Sequence, residues 1–129
     1  MRAQDKAAAV EERLIEFSVR VIKLVDALPS TLAGRHIGQQ LLRSGTSPAP
    51  NYAEARGAES RADFIHKLKI GLKELNESTV WIRVLMRAEL IRSDLLAPLL
   101  DENVQLCRIL NASITTTRAG KDKHSGNDK

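Results

Sequence analysis

Apolar residues at Val10, Leu14, Phe17, Val21, Leu24 and Leu28 are spaced 4, 3, 4, 3 and 4 apart, which keeps one side of a helix apolar for about five turns. The same spacing returns at Phe64, Leu68, Leu72, Leu75, Thr79, Ile82 and Met86, and again at Leu96, Leu99, Leu106, Leu110 and Ile114. A strand turns every second residue to the opposite face, so this period cannot be laid on a sheet. The 7 glycines and 4 prolines fall mostly between residues 29 and 57 or near the end, where an all-β chain would need turn residues throughout. The chain is therefore read as all-α.

Capping and breaking residues divide it. Pro29-Ser30 ends the first helix, whose acids (Glu11, Glu12, Glu16) lie early and whose Lys23 lies late, in the sense the helix dipole favours. Thr31 caps the second, which carries Ile37, Leu41 and Leu42 but is interrupted by Gly34, Gly38, Gly45, Pro48 and Pro50. A kink or break near residues 45–50 is predicted, with Ser47 capping a restart that runs to about Arg56. Ser60 and Asp63 form a capping box for a third helix reaching about Ala88. Ser93-Asp94 caps a fourth, with Pro98 near its first turn. Short connections between four such helices predict an antiparallel up-down-up-down four-helix bundle, with a kinked or broken second helix, over residues 1–116. Residues 117–129, with Ala119 as their last apolar member, are expected to form a disordered basic tail.

A chain of 129 residues supports one core. The lone Cys107 has no internal disulfide partner, the start MRAQDKAAAVEERL lacks a signal-peptide apolar run, and LLAPLL at 95–100 is far too short for a membrane span. A reduced, cytoplasmic protein without membrane attachment is expected.

Catalytic patterns are weak. A carboxylate-bridged metal pair in a bundle needs two Glu-x-x-His segments and two further Glu. Only Asp63-Phe64-Ile65-His66 approaches that pattern, and Asp63 serves better as a cap and His66 as a surface residue. Cys107, among Leu106, Ile109 and Leu110, reads as core filling with no His at helical spacing. No GxxxxGK[ST] or GxGxxG loop occurs. No catalytic residue, metal or cofactor is expected.

Three polar and apolar sets remain. Ile15, Val19 and Ile22 on the first helix, and Ile70, Trp81 and Val84 on the third, lie off the main stripes. They either widen the core or form an exposed surface through which copies associate. Asn51 with Glu54 and Glu74 with Glu77 are i,i+3 pairs that can face one another between the second and third helices, with Arg56, Arg61 or Lys73 as partners. Finally, 20 Lys+Arg against 16 Asp+Glu give a net charge of +4. Basic residues gather at Arg35, Arg43, Arg56, Arg61, Lys67, Lys69 and Lys73, candidates for contact with RNA or DNA. With Phe17, Tyr52, Phe64 and Trp81 as the only aromatics, base stacking is a poor explanation for them.

The stretch from Gln40 to Ile91 resembles the four-helix bundle proteins of the 23S ribosomal RNA intervening-sequence protein family. The resemblance is carried by R-S-G-T-S (Arg43 to Ser47), N-Y-x-E-A (Asn51 to Ala55), F-I-x-K-L (Phe64 to Leu68), K-E-x-x-E-S (Lys73 to Ser78) and W-I-x-V-L (Trp81 to Leu85). With the flanking helices it covers about residues 13–113. Pro48 and Pro50 depart from the family pattern, which more often has an aliphatic and a small residue there. The resemblance implies a small cytosolic bacterial protein that assembles as a homopentamer. Family genes lie within intervening sequences of ribosomal RNA genes. A related branch, the accessory protein of diversity-generating retroelements, forms a basic pentamer that assists a reverse transcriptase and contacts nucleic acid. The expectation is a non-enzymatic oligomeric scaffold for RNA, DNA or a nucleic-acid-processing protein partner. The alternative is a self-assembling module with no nucleic-acid role.

Overall fold

The computed structural model describes residues 2–127, with side-chain surroundings described through residue 120. Among the described residues there are helices and connecting turns and no strands. Five helical segments follow one another: α1 (Ala3–Asp26), α2 (Leu32–Thr46), α3 (Pro48–Arg56), α4 (Arg61–Ala88) and α5 (Ser93–Asn127). α2 and α3 are two halves of one bent rod, so the architecture is the four-helix bundle with its kinked second member.

The bend follows from Ser47 and the prolines. Ser47 was expected to cap a new helix, but it has helical φ −74° and ψ −36° and no capping hydrogen bond. Instead the Asn51 amide N–H donates to the Ser47 carbonyl at 3.3 Å, carrying the helical register across the junction. The Asn51 side chain donates to the same carbonyl and to Ser47 Oγ, each at 3.0 Å. Pro48 and Pro50 remove two amide donors and turn the rod without cutting it. The glycines of α2, expected to interrupt it, are points of close approach. A Cβ on Gly45 would stand 2.8 Å from both Val21 methyls, so α1 lies against bare backbone there.

Other ends match the expected signals in part. Thr31 Oγ1 accepts from the Gly34 amide and Ser60 Oγ from the Asp63 amide, each at 3.1 Å. The Asp63 carboxylate makes no return bond among the described residues, so only half of the predicted capping box forms. α1 starts two turns ahead of Val10, because Ala7 as well as Val10 packs on the core. α4 stops at Glu89, which takes the left-handed conformation with φ 55°. α5 continues past Thr117, whose hydroxyl donates to the Ser113 carbonyl at 2.7 Å. The backbone of the stretch expected to be a disordered tail is helical through Asn127, while its side chains beyond Gly120 and all of residues 128 and 129 lie outside the described residues.

The core takes Leu14, Phe17, Val21 and Leu24 from α1, Ile37 and Leu41 from α2, and Tyr52 and Ala55 from α3. α4 adds Leu68, Leu75, Ile82 and Leu85, and α5 adds Leu96, Leu99, Leu106, Leu110 and Ile114. Each large side chain so buried contributes about 1.5–3 kcal/mol. Going round the bundle, α1 packs on the α2–α3 rod, that rod on α4, α4 on α5, and α5 on α1. α1 and α4 are therefore diagonal, and their outer faces look in opposite directions.

Candidate functional site

Midway along α4, about two turns from Glu74 to Trp81 are tied to the neighbouring rods. On the α2 side, Arg43 donates to Glu74 at 3.0 Å and to Glu77, and Trp81 Nε1 donates to the same Glu77 carboxylate at 3.1 Å. The His36 ring meets Trp81 edge-on with centroids 6.2 Å apart. Deeper in the same seam, the buried Ser44 and Ser78 hydroxyls are 3.0 Å apart and each reaches a carbonyl of its own helix, Leu41 and Glu74. On the α5 side the fully buried Asn103 meets Thr79. Turned so that both ends of its amide are satisfied, Asn103 donates to Leu75 O and Thr79 Oγ1 and accepts from the Thr79 amide. Ser78 and Thr79 are adjacent, so a single turn of α4 is bonded to α2 on one flank and to α5 on the other.

This collar replaces the expected network. Asn51, Glu54, Glu74 and Glu77 do not gather at one place. Asn51 bonds within its own rod, Glu54 pairs with Lys67 at 3.2 Å, and Glu74 and Glu77 pair with Arg43. Arg43 of α2 thus takes the role anticipated for Arg56, Arg61 or Lys73. A buried Asn in a leucine stripe favours one register, since a shift that parts it from Leu75 and Thr79 leaves its amide without those bonds. Its signal in the sequence was a polar residue four after Leu99 and three before Leu106.

The basic candidates separate into three groups. Arg43, Arg56 and Lys67 are neutralised by Glu74 and Glu77, by Glu11, and by Glu54. Arg35 holds the preceding turn by donating to Ser30 O at 2.7 Å. Arg61, Lys69 and Lys73 are exposed and form no ion pair among the described residues. Arg13, unmarked by the sequence, closes the α1–α5 seam with a two-pronged contact to Glu102 at 2.6 and 3.1 Å.

The candidate association residues also divide. Ile15, Ile22 and Val84 stand 41%, 43% and 36% exposed, while Val19 and Ile70 are half-buried. Trp81 packs on the core and is committed to Glu77. Four further residues join the exposed set, Leu32 and Leu42 on α2, Val80 on α4 and Leu95 on α5.

Burial raises the pKa of the Cys107 thiol, the opposite of what a nucleophile needs. Its Sγ lies 3.5 Å from Asn76 Oδ1, in the α4–α5 groove. Among the described residues no three His, Cys, Asp or Glu side chains gather where they could hold a metal, and no helix is long and apolar enough to cross a membrane.

Comparison with known proteins places the whole bundle. A crystal structure at 1.70 Å of a protein of unknown function from the S23 ribosomal protein family of Bacteroides thetaiotaomicron VPI-5482 superposes with a TM-score of 0.80. It is 36% identical in sequence, and the match covers 85% of this chain and 98% of that one. No curated protein matches. Six of the residues that carried the resemblance in the sequence, Arg43, Ser44, Glu74, Glu77, Ser78 and Trp81, build the α2–α4 seam. The model of the 23S rRNA-intervening sequence proteins matches residues 6–112, and the chain belongs to that family.

Proposed function

We propose that this protein is a non-enzymatic scaffold that assembles into a ring of identical subunits, five by analogy with the resemblance above, and uses the ring to hold a nucleic acid. The observation that carries the assembly is the pair of exposed apolar positions on diagonal helices: Ile15 and Ile22 on α1, Val84 on α4. An isologous dimer would use one patch twice. Two different patches on opposite sides suit head-to-tail contact, which closes into a ring when the rotation allows. Repetition then multiplies a modest basic surface into a polyvalent one without any new contact per chain.

Sedimentation tests the assembly. For a 14.3 kDa chain the expected species is near ~70 kDa, falling to the single-chain mass when Ile15 and Ile22 are both replaced by Glu. A lone 14.3 kDa species at micromolar concentration contradicts the reading.

A second reading is favoured by one observation. Three of the seven basic candidates are already neutralised by Glu side chains, which suits a self-assembling module without a nucleic-acid role. Retention of nucleic acid at low salt separates the two.

A further inference from the structure

We infer that the solvent ridge of α4 is a saddle for duplex nucleic acid, with two pairs of cations set to meet the phosphates on either side of one groove. This rests on the nucleic-acid reading above and gives it a place. His66, Lys69, Lys73, Asn76, Val80, Arg83 and Arg87 follow one another at spacings of 3, 4, 3, 4, 3 and 4, and every one is exposed. They form one line along the helix, opposite the core residues Leu68, Leu75 and Ile82.

No acid interrupts the line. Glu74 and Glu77 are turned to the α2 side and engaged by Arg43. On α5, Glu102 is held by Arg13 and Asp94 by Arg92. Asp101 accepts from Gln105, whose other end accepts from Arg13, so it is directed toward the α1 side. Among the described residues Lys69, Lys73, Arg83 and Arg87 take part in no ion pair. Elsewhere on this surface, by contrast, Arg43, Arg56 and Lys67 each have a carboxylate within reach.

Spacing decides the partner. Lys69 with Lys73 and Arg83 with Arg87 are like-charge i,i+4 pairs, an arrangement that costs an isolated helix about 0.2–0.5 kcal/mol each. At about 1.5 Å per residue the two pairs are centred ~21 Å apart, with the short neutral Asn76 and Val80 between them. A B-form major groove is about 12 Å wide between its phosphate walls, so long side chains splayed from the two pairs reach both walls while the neutral middle faces the groove. A membrane surface would call for large apolar side chains in the middle, where only Val80 stands. An acidic protein segment has no reason to match the two-pair spacing.

The test is fluorescence anisotropy of the full-length protein with a 20-base-pair DNA duplex, a single strand of the same length and polyglutamate, between about 50 and 200 mM salt. Duplex binding is expected to weaken with a log–log salt slope near −3.6 per engaged chain, the value for about four phosphates. Lys69→Glu with Lys73→Glu, and separately Arg83→Glu with Arg87→Glu, are each expected to lower duplex affinity at least tenfold and to flatten the slope by about half. Lys6→Gln, exposed on the diagonal helix α1, is expected to change neither, and circular dichroism confirms the fold of each variant. Duplex binding unaffected by both double variants overturns the saddle and leaves nucleic-acid binding standing at another surface. A preference for the single strand or for polyglutamate overturns the saddle as well. Failure of the wild type to bind either nucleic acid at low salt overturns the nucleic-acid reading itself.

Discussion

The two flanks of α4 carry opposite charge chemistry within one helix. On the α2 flank every charge has a partner: Arg43 is shared by Glu74 and Glu77, and Glu77 also receives the Trp81 indole. On the outer ridge Lys69, Lys73, Arg83 and Arg87 have none among the described residues. Compensated charge near a core fixes the register of helices, while uncompensated charge in water contributes little to folding and is available to a ligand. The paired flank, which holds Glu74, Glu77, Ser78 and Trp81 of the family motifs, is thus the structural one, and the flank free of acid is the one open to a partner.

This contrast can be broken from the inside out. The largest effect is expected at the collar, where Asn103→Ala removes a fully buried amide with its bonds to Leu75 and Thr79 and opens a void. Urea unfolding should show a loss of about 3 kcal/mol, and a loss below about 0.5 kcal/mol would mean that Asn103 does not set the α4–α5 register. Ser44→Ala leaves the buried Ser78 hydroxyl without its cross-helix neighbour. The expected cost is about 1 kcal/mol, with the Ser44→Ala/Ser78→Ala double variant less destabilised than the sum of the singles. Strict additivity would argue against a coupled pair. The smallest effect lies at the end of α4, off both flanks. Glu89→Gly removes a side chain from a left-handed position with φ 55° and is expected to raise stability by up to about 1 kcal/mol, read as a higher midpoint at unchanged slope. A fall would show that Glu89 makes a contact worth more than its strain.

Much of the fold was legible in the sequence because it rests on local rules. The 3–4 stripes gave the four rods and their core faces, and Thr31 and Ser60 marked two helix starts whose caps form as expected. The bend was legible from Pro48 and Pro50, but its form was not. Ser47 stays helical since Asn51 bonds its carbonyl, a side-chain choice that spacing does not encode. The partners of Glu74 and Glu77 were misassigned for a different reason. Which basic residue faces them depends on the rotation of α2 about its axis, and that is fixed by the fit of Gly45 and Gly38 against α1. Asn103 stands in the sequence as a polar gap in a leucine stripe, and a polar residue at a core position is itself a signal. Arg83 and Arg87 stand ten or more residues beyond Lys73, and only the helical line through Lys69 and Lys73 joins them to the other basic residues.

The division of α4 into a structural flank and an open ridge is tested most directly by urea unfolding of two charge-removing double variants side by side. Glu74→Gln/Glu77→Gln is expected to lose about 1–2 kcal/mol, because it strips Arg43 of its partners and weakens the acceptor of Trp81. Lys69→Gln/Lys73→Gln is expected to stay within about 0.5 kcal/mol of the parent. Equal losses, or a greater loss from the lysine pair, would contradict the account.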